Sequence, residues 1–199
     1  MTDALDIRGL VFKYRSYTPI PFLILMVVFA MPTLTSMLLG GLLVCCGEAI
    51  RFWGVSLVGS ETRTTGAVGG TYLVTNGPFA YVRNPLYVGN MLMYAGIGLM
   101  SLALFPWLFI VAVLWFYVQY YLIVTREEEY LATKFGADYN EYQRGVGRFL
   151  PRLTPYRSSR PPDKVVNFHE GFASERRTFQ AIGLVILLLV AVYVFRGNG

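Results

Sequence analysis

Charge is what this sequence has least of. Of its 199 residues, 15% are charged and 55% are hydrophobic. A soluble domain carries about 25% charge, so the shortfall argues against a water-solvated globule and for a chain built to sit in a bilayer. Cysteine and histidine are scarce too. Cys45 and Cys46 are the two cysteines, adjacent within an apolar run. Sequence neighbours hardly ever bridge each other, and no metal-ligand spacing is present. They read as small buried hydrophobes. The single His169 cannot build a histidine metal site and reads as a solvated loop residue. No metal is expected. The basic excess of 17 Lys and Arg over 12 Asp and Glu lies in short segments between apolar runs, not on one continuous face. This speaks against a nucleic-acid partner. The stretch MTDALDIRGLVFKYR carries acids, and its apolar part is too short for a signal peptide.

Long apolar runs are what the chain does have. Five are expected as helices: Pro19–Ser36, Met37–Val58, Leu86–Leu104, Pro106–Val124 and Phe179–Phe195. A spanning helix needs about 20 residues, so the first, third and fifth are short. The links around 31–36 and 101–106 are uncharged, whereas the 59–83 link carries Arg63 and Arg83, and 126–178 carries ten Lys or Arg. Arg8, Lys13 and Arg15 precede the first run. The positive-inside rule places the N-terminus and both basic regions in the cytoplasm and the C-terminus outside. The expected architecture is a single all-α domain over residues 1–199, polytopic, with about five transmembrane helices. In a bacterium the membrane would be the inner one. Within the cytosolic regions, 71–75 reads as a short extended piece in a Gly/Thr-rich loop. Tyr130, Leu131 and Phe135 give helical spacing up to a stop at Gly136, and ADYNEYQRGV opens a second short helix.

Polar residues at membrane depth are costly unless paired or wet. Glu48 and Arg51 share a helix face. They form either an internal ion pair or part of a polar cavity. Gln119 sits among Tyr117, Tyr120 and Tyr121, which read as an interfacial belt. The run Glu127, Glu128, Glu129 falls where the fourth segment leaves the membrane. It is either a solvated helix start or a set of carboxylates that bind hydroxyls or a positive group.

The stretch GPFAYVRNPLYVGN, residues 77–90, bears on that choice. Arg83-Asn84-Pro85-Leu86-Tyr87-Val88-Gly89 is followed by Glu127, Glu128 and Leu131, and then by Phe135, Gly136, Tyr139 and Tyr142. This series, in order and spacing, resembles the membrane methyltransferases of the isoprenylcysteine carboxyl methyltransferase and phospholipid N-methyltransferase superfamily, over about residues 40–152. The resemblance implies an S-adenosylmethionine cofactor in a pocket on the cytosolic side, a lipid-like or isoprenoid acceptor entering from the membrane lipids, and methyl transfer at the cytosolic face. Isoprenylcysteine carboxyl methyltransferase is the nearest likeness, with a phospholipid (ethanolamine) N-methyltransferase as the alternative. A NADPH-dependent sterol-type reductase, of another class, shares a related helical core. The intact E-E-x-x-L element speaks against it.

Residue by residue, the resemblance assigns Tyr81, Arg83, Asn84, Pro85, Tyr87 and Gly89 to a loop against the cofactor. It assigns Glu127 and Glu128 to the cofactor's polar end or ribose, and Gly96 and Gly98 to a G-x-G element. Arg83 and Arg148 are the candidates for holding an anionic acceptor. The family's usual His is Asn84 here, which removes the local group that titrates near neutral pH. Pro78 and Pro85 stiffen the loop.

Overall fold

The computed structural model describes residues 7–59, 72–158 and 164–197. It is all-helical, with no strand among the described residues. Seven α-helices follow in order: α1 Ile7–Tyr14, α2 Pro19–Val28, α3 Leu34–Val58, α4 Pro85–Ser101, α5 Trp107–Phe135, α6 Ala137–Gly145 and α7 Phe168–Gly197. A 3-10 turn, Gly77–Ala80, leads into α4. Of the expected 71–75 extended piece, Thr71 lies outside the described residues, and 73–75 have no regular structure.

Helix boundaries follow local chemistry. Pro32 cannot continue α2, and Thr33 caps α3. Its side chain accepts from the Ser36 amide (3.1 Å), and the Ser36 hydroxyl accepts from the Thr33 amide (2.9 Å). That reciprocal capping box sets the break at 29–33, not at Ser36. Pro85 opens α4 in the first helical position, where a missing N–H costs nothing. α5 runs on through the three glutamates, so the fourth apolar segment and the helix after it are one element of 29 residues. It stops at Gly136, whose φ of 55° suits glycine. α7 begins eleven residues before its apolar part. His169 therefore lies in its exposed first turn and not in a loop.

α3 and α4 form the frame as an antiparallel pair. Glycines at seven-residue spacing let the two backbones touch. A Cβ on Gly96 would stand 2.6 Å from the Gly40 carbonyl oxygen, and one on Gly47 would stand 2.6 Å from that of Gly89. Gly54 meets Leu86 and Pro85 lower on the same seam. Small residues permitting close approach are the usual device for helices packed in lipid. This seam also explains the cysteines. Val44 and Gly47 face α4, so Cys45 and Cys46 turn outward and are exposed, not buried.

The helices share two ends. At one end the Met31 amide donates to the Ser101 carbonyl (2.7 Å), and Arg196 donates to the Ala30 carbonyl. At the other end the Asn167 amide donates to the Ser56 carbonyl (2.7 Å), and Arg8 pairs with Glu129 (2.7 Å). The described parts of the basic links lie at this second end. Between the ends, Met26, Val44, Met93, Ile97, Phe116, Ile123 and Leu189 form the core. Leu38, Leu42, Trp107, Val111, Leu114, Leu184 and Leu187 point outward and are exposed. α3, α5 and α7 are long and apolar enough to cross a membrane. α4 has 17 residues and α2 has ten, about 25 Å and about 15 Å at 1.5 Å per residue.

Candidate active site

The segment 78–83 is held by the stretch that follows α6. The Arg83 amide donates to the Gly147 carbonyl (2.9 Å), the Arg152 amide to Tyr81 (2.9 Å) and the Tyr156 amide to Ala80 (2.8 Å). The Tyr142 hydroxyl donates to the Phe79 carbonyl (2.7 Å). Burial, followed by the charge of Glu128, pushes the Tyr139 phenol up from its ordinary range. Burial and neighbouring Tyr139 do the same to Tyr142. Both stay protonated, and Tyr142 serves as a donor.

Glu128 is the hub of this end. It is 4% exposed. Its carboxylate accepts from Arg83 Nε (3.0 Å) and Nη2 (3.3 Å), from Asn84 Nδ2 (3.1 Å), and from Arg148 Nε (3.0 Å) and Nη2 (2.7 Å). Arg83 also donates to the Gln143 and Val146 carbonyls. Arg148 lies against the Tyr121 ring at 5.0 Å. Both candidate arginines are thus committed to one carboxylate. Asn84 serves this clamp where a histidine would have offered one N–H.

Glu127, the preceding residue, points elsewhere. It lines a cavity of about 750 Å³ to which all seven α-helices contribute, α3 through Arg51 and Val58. The Tyr87 hydroxyl donates to its Oε1 at 2.6 Å, and Arg15 Nη1 stands 3.8 Å from the same atom. That Arg15 nitrogen is buried with no hydrogen-bond partner. Adjacent helical residues diverge by about 100°, which is why one acid enters the cavity and the next enters the clamp.

Of the residues singled out from the sequence, Arg51, Arg83, Asn84, Pro85, Tyr87, Tyr120, Glu127, Leu131, Tyr139 and Tyr142 line the cavity. Tyr81, Gly89, Gly96, Gly98, Glu128 and Arg148 are not brought to its surface. The loop expected over 83–89 ends at Asn84, because Pro85 opens α4 and 85–89 are its first turns. Tyr81 packs beside Trp53. Gly96 and Gly89 are spent on the α3 seam, and Gly98 faces Met26 and Phe109. Glu48 and Arg51 are not paired with each other. Arg51 donates instead to Glu175 (2.7 Å) and to Asn90 Oδ1 (2.6 Å), and both Glu48 oxygens are left without a partner. Gln119 accepts from Thr18 (2.6 Å). Tyr120 is a buried cavity wall and not part of a belt, whereas Tyr117 and Tyr121 are exposed.

Arg15, Asn90, Tyr94, Glu175 and Thr178 also line the cavity and escaped the sequence reading. Asn90 was the one with a visible signal: it sits three residues after Tyr87 and so shares its helix face. Among the described residues, no group of three His, Cys, Asp or Glu side chains could hold a metal ion.

A helical protein with three membrane-length apolar helices belongs to the class of integral-membrane proteins, here with a cavity between the helices. Within that class the chain belongs to the phospholipid methyltransferase family, whose model matches residues 35–138. It is 40% identical over 87 residues to the cobalt-zinc-cadmium resistance protein CzcN of Cupriavidus metallidurans, covering 43% of this chain and 38% of that one. Identity is 34% over 88 residues to the nickel-cobalt-cadmium resistance protein NccN of Alcaligenes xylosoxydans xylosoxydans, covering 44% and 40%. With the protein-S-isoprenylcysteine O-methyltransferase of Schizosaccharomyces pombe it is 38% over 82 residues, covering 41% and 34%. The matched stretches span about two fifths or less of each relative's length.

Proposed function

We propose that this chain is an S-adenosylmethionine-dependent methyltransferase acting on a lipid-like or isoprenoid acceptor. The observation that carries the reading is convergence. Arg83, Asn84, Pro85, Tyr87 and Glu127, forty residues apart in sequence, line one cavity inside the family-matched region. The residues fit the cofactor. A cavity of about 750 Å³ lies within the 300–1,000 Å³ usual for small-molecule sites. Glu127 offers a carboxylate held in place by Tyr87, suited to a diol, an ammonium or a sulfonium. Arg15 offers an unused buried N–H for an anionic group. The cofactor, when bound, supplies a methyl group on a positively charged sulfur.

The protein's part is to bind, orient and exclude water. Tyr87, Tyr120 and Phe79 wall the cavity, and a dry site favours a reaction in which charge is lost. Arg83, Arg148 and Glu128 hold residues 83–84 and the start of α4 in one shape, which sustains the positioning such a transfer depends on. The single domain spans residues 1–199, with five membrane segments. Its basic end and the cavity mouth face the cytoplasm, and the end carrying Arg196 lies outside. α2 then contributes a partial crossing and borrows the rest from 29–33.

The test is calorimetric titration of the detergent-purified protein with S-adenosylmethionine and its demethylated product. Wild type binds both, and Glu127→Gln loses most of that affinity. A folded wild type that binds neither sinks the reading.

A further inference from the structure

α7 lies beyond the family-matched residues 35–138, yet it supplies one wall of the cavity. Along that wall Glu175, Thr178, Ile182 and Val185 recur at helical spacing. The face turns from polar to apolar over about 15 Å. α4 repeats the gradient in the same direction, from Asn90 to Met93 and Ile97. Two facing walls that are polar at one level and apolar below it make a slot for an amphiphile.

The polar level is unfinished. Glu175 is 2% exposed and gives one oxygen to Arg51 Nη2 at 2.7 Å, while its Oε2 has no partner. Glu48, one turn before Arg51 on α3, leaves both carboxylate oxygens without a partner. The charges acting on it are Glu175 and Arg51. Of these three unused acceptors, Glu175 Oε2 is the one on a residue that lines the cavity. This level offers one unused donor, Arg51 Nε, while Arg15 Nη1 lies beside Glu127. Buried polar atoms are seldom left unmet, and here the deficit is of donors. Two carboxylates also lie near one partly buried guanidinium, which pairs with Glu175 and not with Glu48. Arg177 carries its charge at the exposed mouth, where solvent screens it.

We propose that Glu175, with Arg51 and Asn90, forms the subsite for the acceptor's reacting head, and that this head carries an N–H or O–H and not a bare carboxylate. The proposal rests on the methyltransferase reading, which places the cofactor at Glu127 and leaves this second polar level to the acceptor. The head donates to Glu175 Oε2. That oxygen would take the proton as the new N–CH₃ or O–CH₃ bond forms and the cofactor's S–CH₃ bond breaks, so that carboxylate and sulfonium charges are lost together. The tail runs down the α4–α7 slot past Met93, Ile97, Ile182 and Val185. The specificity element is therefore supplied by a helix outside the family core.

The test uses the full chain in nanodiscs, titrated with decylamine, decanol and decanoate against empty nanodiscs. Either donor-bearing probe should bind about tenfold or more tightly than decanoate, the worth of one hydrogen bond to a charged group. Glu175→Gln should erase that preference. Because this change leaves Arg51 unpaired, Glu175→Asp is measured beside it. It keeps the charge, draws the oxygens back and should weaken the donor probe while S-adenosylmethionine binding is retained. Tighter binding of decanoate to the wild type overturns the inference. So does an unchanged probe affinity in either variant that still binds S-adenosylmethionine. A wild type that binds the donor probe at Glu175 but not S-adenosylmethionine would instead overturn the cofactor assignment.

Discussion

Replacing Glu128 with Gln should unfold the protein more easily than replacing Glu127, although the two acids are neighbours. Glu128 accepts five hydrogen bonds from Arg83, Asn84 and Arg148. The Arg83 side chain is 9% exposed and that of Arg148 is 26% exposed. Glutamine keeps the shape, removes the charge and turns an NH₂ toward donors. Breaking a buried ion pair from one side costs about 3–5 kcal/mol. Arg148 regains water, and Arg83 keeps the Gln143 and Val146 carbonyls, so the low end, about 3 kcal/mol, applies. For a chain of this size that lowers the unfolding midpoint by about 6–12 °C. Glu127→Gln loses one hydrogen bond from Tyr87, about 1 kcal/mol, and so about 2–4 °C. The assay is thermal unfolding of both variants in the same detergent, followed by circular dichroism. A Glu128→Gln midpoint within about 2 °C of wild type, or a larger fall for Glu127→Gln, would refute the division into clamp and cavity acid.

Tyr87→Phe should weaken S-adenosylmethionine binding about fivefold by freeing Glu127, read by calorimetry, and should lower the unfolding midpoint by about 2–4 °C, because it removes the same hydrogen bond as Glu127→Gln. Gly96→Val should destabilise by about 1–3 kcal/mol or more through overpacking against α3. Gly41→Ala, where nothing lies within 4 Å, should be tolerated, and thermal unfolding compares the two. Cys45 and Cys46, exposed on the outer face of α3, should react in sealed vesicles with a membrane-permeant maleimide and not with a charged one. Tyr139 keeps its proton in the folded state above its usual range. The unfolded chain releases that proton near pH 10, so it binds fewer protons than the folded one and stability falls as pH rises beyond about 10. Tyr139→Phe should flatten that alkaline loss in denaturant titrations.

Motif order and apolar runs made the helical class, the start of α4 near Pro85, the Gly136 stop and the short helix after it readable from the residues alone. Each of those depends on chemistry within a few residues: a proline at a helix start, a glycine at a helix end, a run without charge. What stayed hidden depends on which face a residue takes after packing. Glu127 and Glu128 are equivalent as letters. They differ because α5 turns one toward Tyr87 and the other toward Arg83 and Arg148. Glu48 and Arg51 have the spacing of an ion pair, but α7 brings Glu175 to Arg51 from 124 residues away. The polar first turns of α7, HEGFASERRT, hide its start because a period set by the apolar stretch alone ends at Phe179. Yet those turns carry Glu175 into the cavity. A helix whose first part closes a site and whose second part crosses lipid cannot satisfy one hydrophobic rule along its whole length. The break in pattern at 168–178 is therefore itself the sequence trace of a second role for α7.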